Sequence, residues 1–219
     1  MIVTRHTPPA RLGGLDATVI VGTFGGDGWV DLANQRAIPS ALALGLPVIH
    51  CHAPTGTLAE ARNQGVDLVE TGWLIVLDAD DCLGGGFSAL AARAVTPDVD
   101  VLIVKVVFVH PDGSPGVAHW PRVAGHVHDC EPDCLPFGNW LIVGCPVRTE
   151  LAQRIRWGEW ERFEDWSWWL SCWQAGARFG RAPDAVYVAH VRAESRNQRH
   201  VNGIEVHRAI ARHHGVPVP

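Results

Sequence analysis

Apolar positions in the first half of the chain alternate between a strand-like and a helix-like period. ATVIVGTF, Ala17–Phe24, is a β-branched run closed by Gly25, Gly26 and Gly28, and it predicts a strand. WVDLANQRA follows with helical spacing, and a kink or restart is expected at Pro39. LPVIHCH, Leu46–His52, predicts a second strand. Thr57 and Glu60 have the spacing of a capping box, and the helix they open carries Leu58, Ala61, Gly65 and Leu68 on one stripe. WLIVL, Trp73–Leu77, is apolar without interruption, as expected of a parallel strand covered on both faces. Strand, helix, strand, helix, strand is the order of an α/β fold, here with a mixed, mostly parallel sheet flanked by helices.

The second half is less regular. Val99–His110 predicts a strand and PDGSPG a turn. From Val117 to Asn139 the chain is rich in His, Cys, Pro and Asp without a period, which reads as a long loop. NWLIVGCPV predicts a further strand. Phe163–Gly176 predicts a helix with Trp166, Trp169, Leu170 and Trp173 on one face and Gly176 as its stop. Val186–Val191 predicts a last strand and Asn202–His214 a terminal helix. No internal repeat or low-complexity segment is present.

Composition narrows the class. The chain has 219 residues, 47% of them hydrophobic and 19% charged, enough to bury a core and too apolar for disorder. With 18 basic and 23 acidic residues the formal charge is −5, so there is no broad basic field for nucleic acid. Lys105 is the sole lysine; the other basic residues are arginines. Cys51, Cys82, Cys130, Cys134, Cys145 and Cys172 are scattered, and a core of this size needs no disulfide frame. The N-terminus lacks the apolar stretch of a signal peptide, and the longest apolar run, Val101–Val109, is interrupted by Lys105 and too short to span a bilayer. A soluble, cytoplasmic protein is expected.

Two segments carry candidate chemistry. In WLIVLDADD a buried strand runs straight into Asp78, Asp80 and Asp81, where open α/β sheets bind ligands. Clustered carboxylates repel one another and are favourable mainly with a cation between them; all-oxygen donors suit Mg²⁺ or Mn²⁺. The plainer reading is an acidic turn that caps a helix. In RFEDWSWWLSCWQAG, Glu164 and Asp165 open an amphipathic helix, whose dipole stabilises carboxylates. There the plainer reading is charge complementarity, whereas the chemical one is a general base for a hydroxyl.

Taken together, GTLAEARNQG, TGWLIVLDADDCL and FEDWSWWLSCWQAGARF resemble the family 2 glycosyltransferases of the GT-A fold, and the likeness runs from VIVGTF to about Ser195. The resemblance implies one GT-A domain over 1–219, with a nucleotide-sugar half at about 17–105, an acceptor and catalytic half at about 106–200, and a C-terminal helix at 201–219. It implies a metal-dependent, hexosyltransferase-type enzyme that moves a sugar from a nucleotide diphosphate (UDP, GDP or dTDP) to a hydroxyl of a protein, saccharide or small molecule, with inversion. The Mn²⁺ or Mg²⁺ would lie on Asp78, Asp80 and Asp81, with His190 as a possible late ligand. Asp165 would be the base, with Glu164 supporting it or touching the acceptor. Donor contacts would come from Thr23, Phe24, Arg62 and Asp78, and diphosphate contacts from His190, Arg192, Ser195 and Arg196. The chain departs from the family after the second strand, where HCHAPTGT replaces an Asp-Asp-x-Ser-x-Asp run, so the family's base contact does not carry over.

Two clusters remain. His126, His128, Cys130 and Cys134 have the donor types of a zinc site, but the spacing matches no standard finger, and an acceptor loop is the preferred reading. Among the ten tryptophans most are expected in the core; Trp157 and Trp160, outside any helical stripe, are the candidates for stacking on a sugar. Rival functions are a nucleotidyltransferase, disfavoured because GTFGGDGW has no Lys or Arg, and a non-catalytic nucleotide- or sugar-binding module, disfavoured by the intact acidic set.

Overall fold

The structure, a computed structural model, describes residues 1–10, 13–121, 131–192 and 203–218. Its strands are β1 (Ile2–His6), β2 (Ala17–Phe24), β3 (Val48–Ala53), β4 (Trp73–Val76), β5 (Cys82–Leu83), β6 (Val101–Val109), β7 (Val147–Arg148) and β8 (Phe179–His190). Its helices are α1 (Gly28–Gln35), α2 (Ala37–Ala43), α3 (Leu58–Asp67), α4 (Phe87–Ala92), α5 (Thr149–Arg154), α6 (Glu164–Gln174) and α7 (Gly203–His214).

One mixed sheet of eight strands runs in the order β1-β3-β2-β4-β7-β6-β8-β5. The long ladders β2–β3, β2–β4 and β6–β8 are parallel. Between the named strands, the antiparallel pairings involve β1 on the edge, β5, and β7, whose short bridges join the two parallel sets. The expected α/β architecture is therefore present, with the central strands as nearly continuous apolar runs because both faces are covered. Helix α3 packs on β2 and β3, close enough that a Cβ on Gly65 would collide with Ile20.

Local signals hold where the physics is local. Thr57 Oγ1 accepts from the Glu60 N–H while Glu60 returns a bond to the Thr57 N–H, so the capping box is complete. The helix after β2 restarts at Arg36 rather than at Pro39. Pro39 falls in the first turn of α2, where a missing N–H costs nothing.

NWLIVGCPV is a correction. Of that run only Val147 enters a strand, although Trp140, Leu141, Val143 and Cys145 are buried. Gly144 lies so close to the Tyr187 ring that a Cβ would overlap it, and the run turns inward to fill the core instead of pairing. An apolar run without alternation does not distinguish these outcomes. Within the long loop, Pro132–Phe137 forms a 3₁₀ turn. Cys51, Cys82, Cys134, Cys145 and Cys172 are free thiols. Among the described residues no helix is long and apolar enough to cross a membrane.

Candidate active site

The aspartate segment leaves β4 at the carboxyl end of the sheet, and α3 lies beside it. The capping box fixes the start of α3, and Arg62 emerges one turn later, its stem 3.1 Å from where a Cβ on Gly22 would stand. Gly22 thus leaves room for the arginine. The guanidinium is 1% exposed and donates to Asp78 Oδ1 at 2.8 Å and to Glu164 Oε1 at 3.2 Å. Burial opposes its charge, but the two carboxylates outweigh that and raise its pKa. Its other face lies 4.4 Å from the Trp157 ring.

Trp157 is held in turn. Asn63 donates from Nδ2 to its carbonyl at 3.0 Å and accepts from its N–H at 2.9 Å. The indole stacks on Trp168 with centroids 4.6 Å apart and planes 4° from parallel. Trp157 is 3% exposed, so it is a platform for Arg62 and not the expected sugar-stacking face. Trp160 keeps that possibility: it lines a cavity of about 380 Å³ with Phe24, Thr57, Leu58, Glu159, Glu161 and Glu164.

Helix α6 begins at Glu164 after Phe163, whose φ of 56° is left-handed and turns the chain sharply into the helix. Glu164 is spent on Arg62. Asp165 Oδ1 accepts from Asn139 Nδ2 at 2.9 Å and from the Trp166 N–H at 2.9 Å. Burial and the neighbouring Glu164 push the Asp165 carboxyl up to about 6, against the pull of those two donors. A carboxylate of that pKa is ionised at neutral pH and basic enough to take a proton from a hydroxyl in concert with attack.

The three aspartates divide their work. Asp78 leans on Arg62. Asp80 is partly buried, and burial together with the charge of Asp78 raises its pKa. Arg192 Nη1 stands 3.8 Å from Asp80 Oδ2, and Arg36 Nη1 donates to the Asp80 carbonyl at 3.2 Å. Asp81, expected among the metal ligands, has both oxygens hydrogen-bonded: Tyr187 Oη donates to its Oδ2 at 2.7 Å and the His190 N–H to its Oδ1 at 2.7 Å. Both oxygens thus pin β8 to the aspartate segment.

Among the described residues no group of three or more His, Cys, Asp or Glu side chains forms a ready cage for a metal. The donors that fit a hard cation are the second oxygen of Asp78, the Asp80 carboxylate and His190, whose buried Nδ1 has no hydrogen-bond partner. Thr23, expected at the donor, is 2% exposed and shared between His50 Nε2 at 2.9 Å and His52 Nδ1 at 3.0 Å. Ser195 and Arg196 lie outside the described residues, as do His126, His128 and Cys130. The sequence reading missed Arg36, Asn139 and Tyr187. A lone Arg, Asn or Tyr in a run of mixed residues carries no periodic or motif signal.

No protein-family profile matches the chain, and comparison with curated proteins finds no match. Solved structures do match. TarS 1–349 of S. aureus superposes with a TM-score of 0.56 at 17% identity, over 90% of this chain and 64% of that one. The same fragment in complex with UDP-GlcNAc gives 0.56 at 16% identity, over 90% and 65%. Its complex with UDP gives 0.52 at 18% identity, over 88% and 64%. The chain therefore spans just under two thirds of the fragments it matches, and it shares with them the GT-A glycosyltransferase fold.

Proposed function

We propose that the protein is a glycosyltransferase of the family 2 type, moving a sugar, a hexosyl group by preference, from a nucleotide diphosphate to a hydroxyl with inversion. The observation that carries this reading is the buried Arg62, which holds both Asp78 and Glu164, the latter 102 positions away from it in sequence, and so sets Asp165 beside the aspartate segment. The complexes of the structural neighbours with UDP and UDP-GlcNAc support a uridine nucleotide sugar as the first donor to try.

In this reading Asp165 accepts the proton of the acceptor hydroxyl as its oxygen attacks the anomeric carbon, while Asn139 and the Trp166 N–H keep the carboxylate aimed. Arg62 holds Asp78 and Glu164 in place and sets its charge against the carboxylates. Asp78, Asp80 and His190 would hold Mn²⁺ or Mg²⁺, which when bound would offset negative charge on the leaving diphosphate. Trp160 and Phe24 offer an apolar wall for the sugar or acceptor. A protein, a saccharide or a small molecule is the acceptor this site would accommodate.

The test is release of UDP from UDP-GlcNAc, UDP-glucose and UDP-galactose with Mn²⁺ or Mg²⁺ present, repeated with Asp165→Asn. Metal-dependent release that falls in the variant while UDP binding persists supports the reading. Binding of nucleotide without release in any combination of donor, metal and acceptor would leave a binding module instead.

A further inference from the structure

Helix α7 packs on α6, and one of its side chains reaches the turn from which Glu164 and Asp165 emerge. Phe163 opens that turn with a φ of 56°, the one positive φ outside glycine among the described residues, and its side chain makes no cap on the helix. A residue with a Cβ stays in the left-handed region only where its surroundings hold it there. The His207 imidazole supplies that hold. It meets the Phe163 ring at right angles, with centroids 5.6 Å apart and planes at 89°, and lies flat on the Trp166 ring at 4.0 Å and 15°. Phe163 and Trp166 stand on either side of the two carboxylates in sequence, so one imidazole braces both ends of the pair.

Both hydrogen bonds on Asp165 depend on where Trp166 sits. One donor is the Trp166 N–H itself, 2.9 Å from Asp165 Oδ1, and the other is Asn139 Nδ2 at 2.9 Å. Asn139 follows the 3₁₀ turn whose Leu135 carbonyl accepts from Trp166 Nε1 at 2.8 Å, so the indole ties that turn to the start of α6. Moving the indole moves both donors.

Helix α7 is itself anchored to α6. Ser167 Oγ lies 2.8 Å from His214 Nε2, and Gln174 Nε2 donates to the His214 carbonyl at 2.7 Å. At the other end of α7, a Cβ on Gly203 would stand 3.3 Å from Arg162 Nη1, beside the same turn. His207 Nδ1 is buried and has no hydrogen-bond partner among the described residues, and burial lowers the pKa of the imidazole, so it is neutral at neutral pH. What it offers the turn is ring contact. We infer that His207 is a positioning residue for Asp165: wedged between Phe163 and Trp166, it holds the left-handed turn and the two donors that aim the carboxylate. The inference rests on the reading of Asp165 as the base, but the placement it describes is measurable without substrate.

Amide hydrogen exchange of the full chain tests it. His207→Ala should speed exchange of the Trp166 and Ser167 amides about tenfold, the worth of one aromatic contact, while amides in α3 keep their protection. His207→Leu fills the volume without a flat ring, which keeps the fold, and it should speed the same two amides. His207→Phe restores a flat ring and should return their exchange to the parent rate. Unchanged exchange at Trp166 and Ser167 in the Ala and Leu variants, a rise shared equally by α3, or a Phe variant no better than Leu would each overturn the inference. Kinetics with UDP-GlcNAc and Mn²⁺ give a second readout. His207→Leu should lower kcat roughly ten- to hundredfold, as a misaimed catalytic group does, and leave KM for the donor unchanged. His207→Phe should recover kcat. A raised donor KM with kcat intact would remove His207 from this role. If the parent protein transfers no sugar, the proposed function fails while the exchange result stands. If Asp165→Asn abolishes transfer and exchange ignores His207, the inference alone fails.

Discussion

Asn139 Nδ2 stands 2.9 Å from Asp165 Oδ1 and donates a hydrogen bond to a carboxylate that burial and Glu164 both work to protonate. Under the proposed function, that bond helps to set the pH range in which Asp165 would act as a base. Transfer should rise as pH increases through about 6, where Asp165 loses its proton. Asn139→Ala removes a donor that favours the ionised form, so the rising limb should move to higher pH while donor affinity is kept. A pH–rate profile of the two proteins checks it; coincident limbs would remove Asn139 from this role.

Asp165→Asn should lower transfer by roughly 10²–10⁴, the worth of a positioned general base. It should also stabilise the protein. The folded pKa of Asp165 lies above its value of 3.8 in an unfolded chain, so its contribution is fully present below pH 3.8 and lost as pH rises through about 6. At neutral pH the charged carboxylate is a cost, and its removal should add about 1–3 kcal/mol. Urea unfolding at neutral pH reads this directly, and a destabilised variant would contradict it.

Arg62→Met should destabilise by about 3–5 kcal/mol, because it leaves buried Glu164 and half-buried Asp78 without their shared cation. Adding Glu164→Gln to it should restore part of the loss. A double-mutant cycle from denaturation midpoints measures the coupling; strict additivity would mean that the ion pair contributes nothing.

The two loop tryptophans should behave oppositely. Trp157→Ala should cost about 3–5 kcal/mol, as expected for a large buried ring that also carries Arg62. Trp160→Ala should leave stability nearly unchanged and raise KM for acceptor or donor. Thermal melts and steady-state kinetics separate the two, and a strongly lowered Tm in Trp160→Ala would make it core as well.

Sequence was most informative where a few neighbouring residues decide the outcome. β2 ends where its β-branched run ends, and Thr57 and Glu60 cap α3 as their spacing requires. The aspartate segment follows a buried strand because only a covered parallel strand is apolar throughout. Roles set by distant partners were not legible. Asp81 reads like Asp78 and Asp80 in sequence, yet Tyr187 and the His190 N–H, more than a hundred positions away, take both its oxygens. β1 escaped because it lies exposed on the sheet edge, where four of its five residues face solvent and no burial pattern forms. Arg36 became visible only once the fold had brought its neighbours around it.

The Arg62–Glu164 pair also carries a consequence for how the molecule assembles. Its partners are separated by 102 positions, so the loop that joins them must close before the ion pair can form. Arg62 can reach Asp78 early, from 16 positions away, but Glu164 finds its cation only when the start of α6 comes to Arg62. On a ribosome, at roughly 5–20 residues per second, α6 emerges several seconds after α3, and for that interval the first half holds an incomplete site. The proposed catalytic geometry is thus among the last features to appear, and recovery of the proposed activity on refolding should lag the return of helical signal.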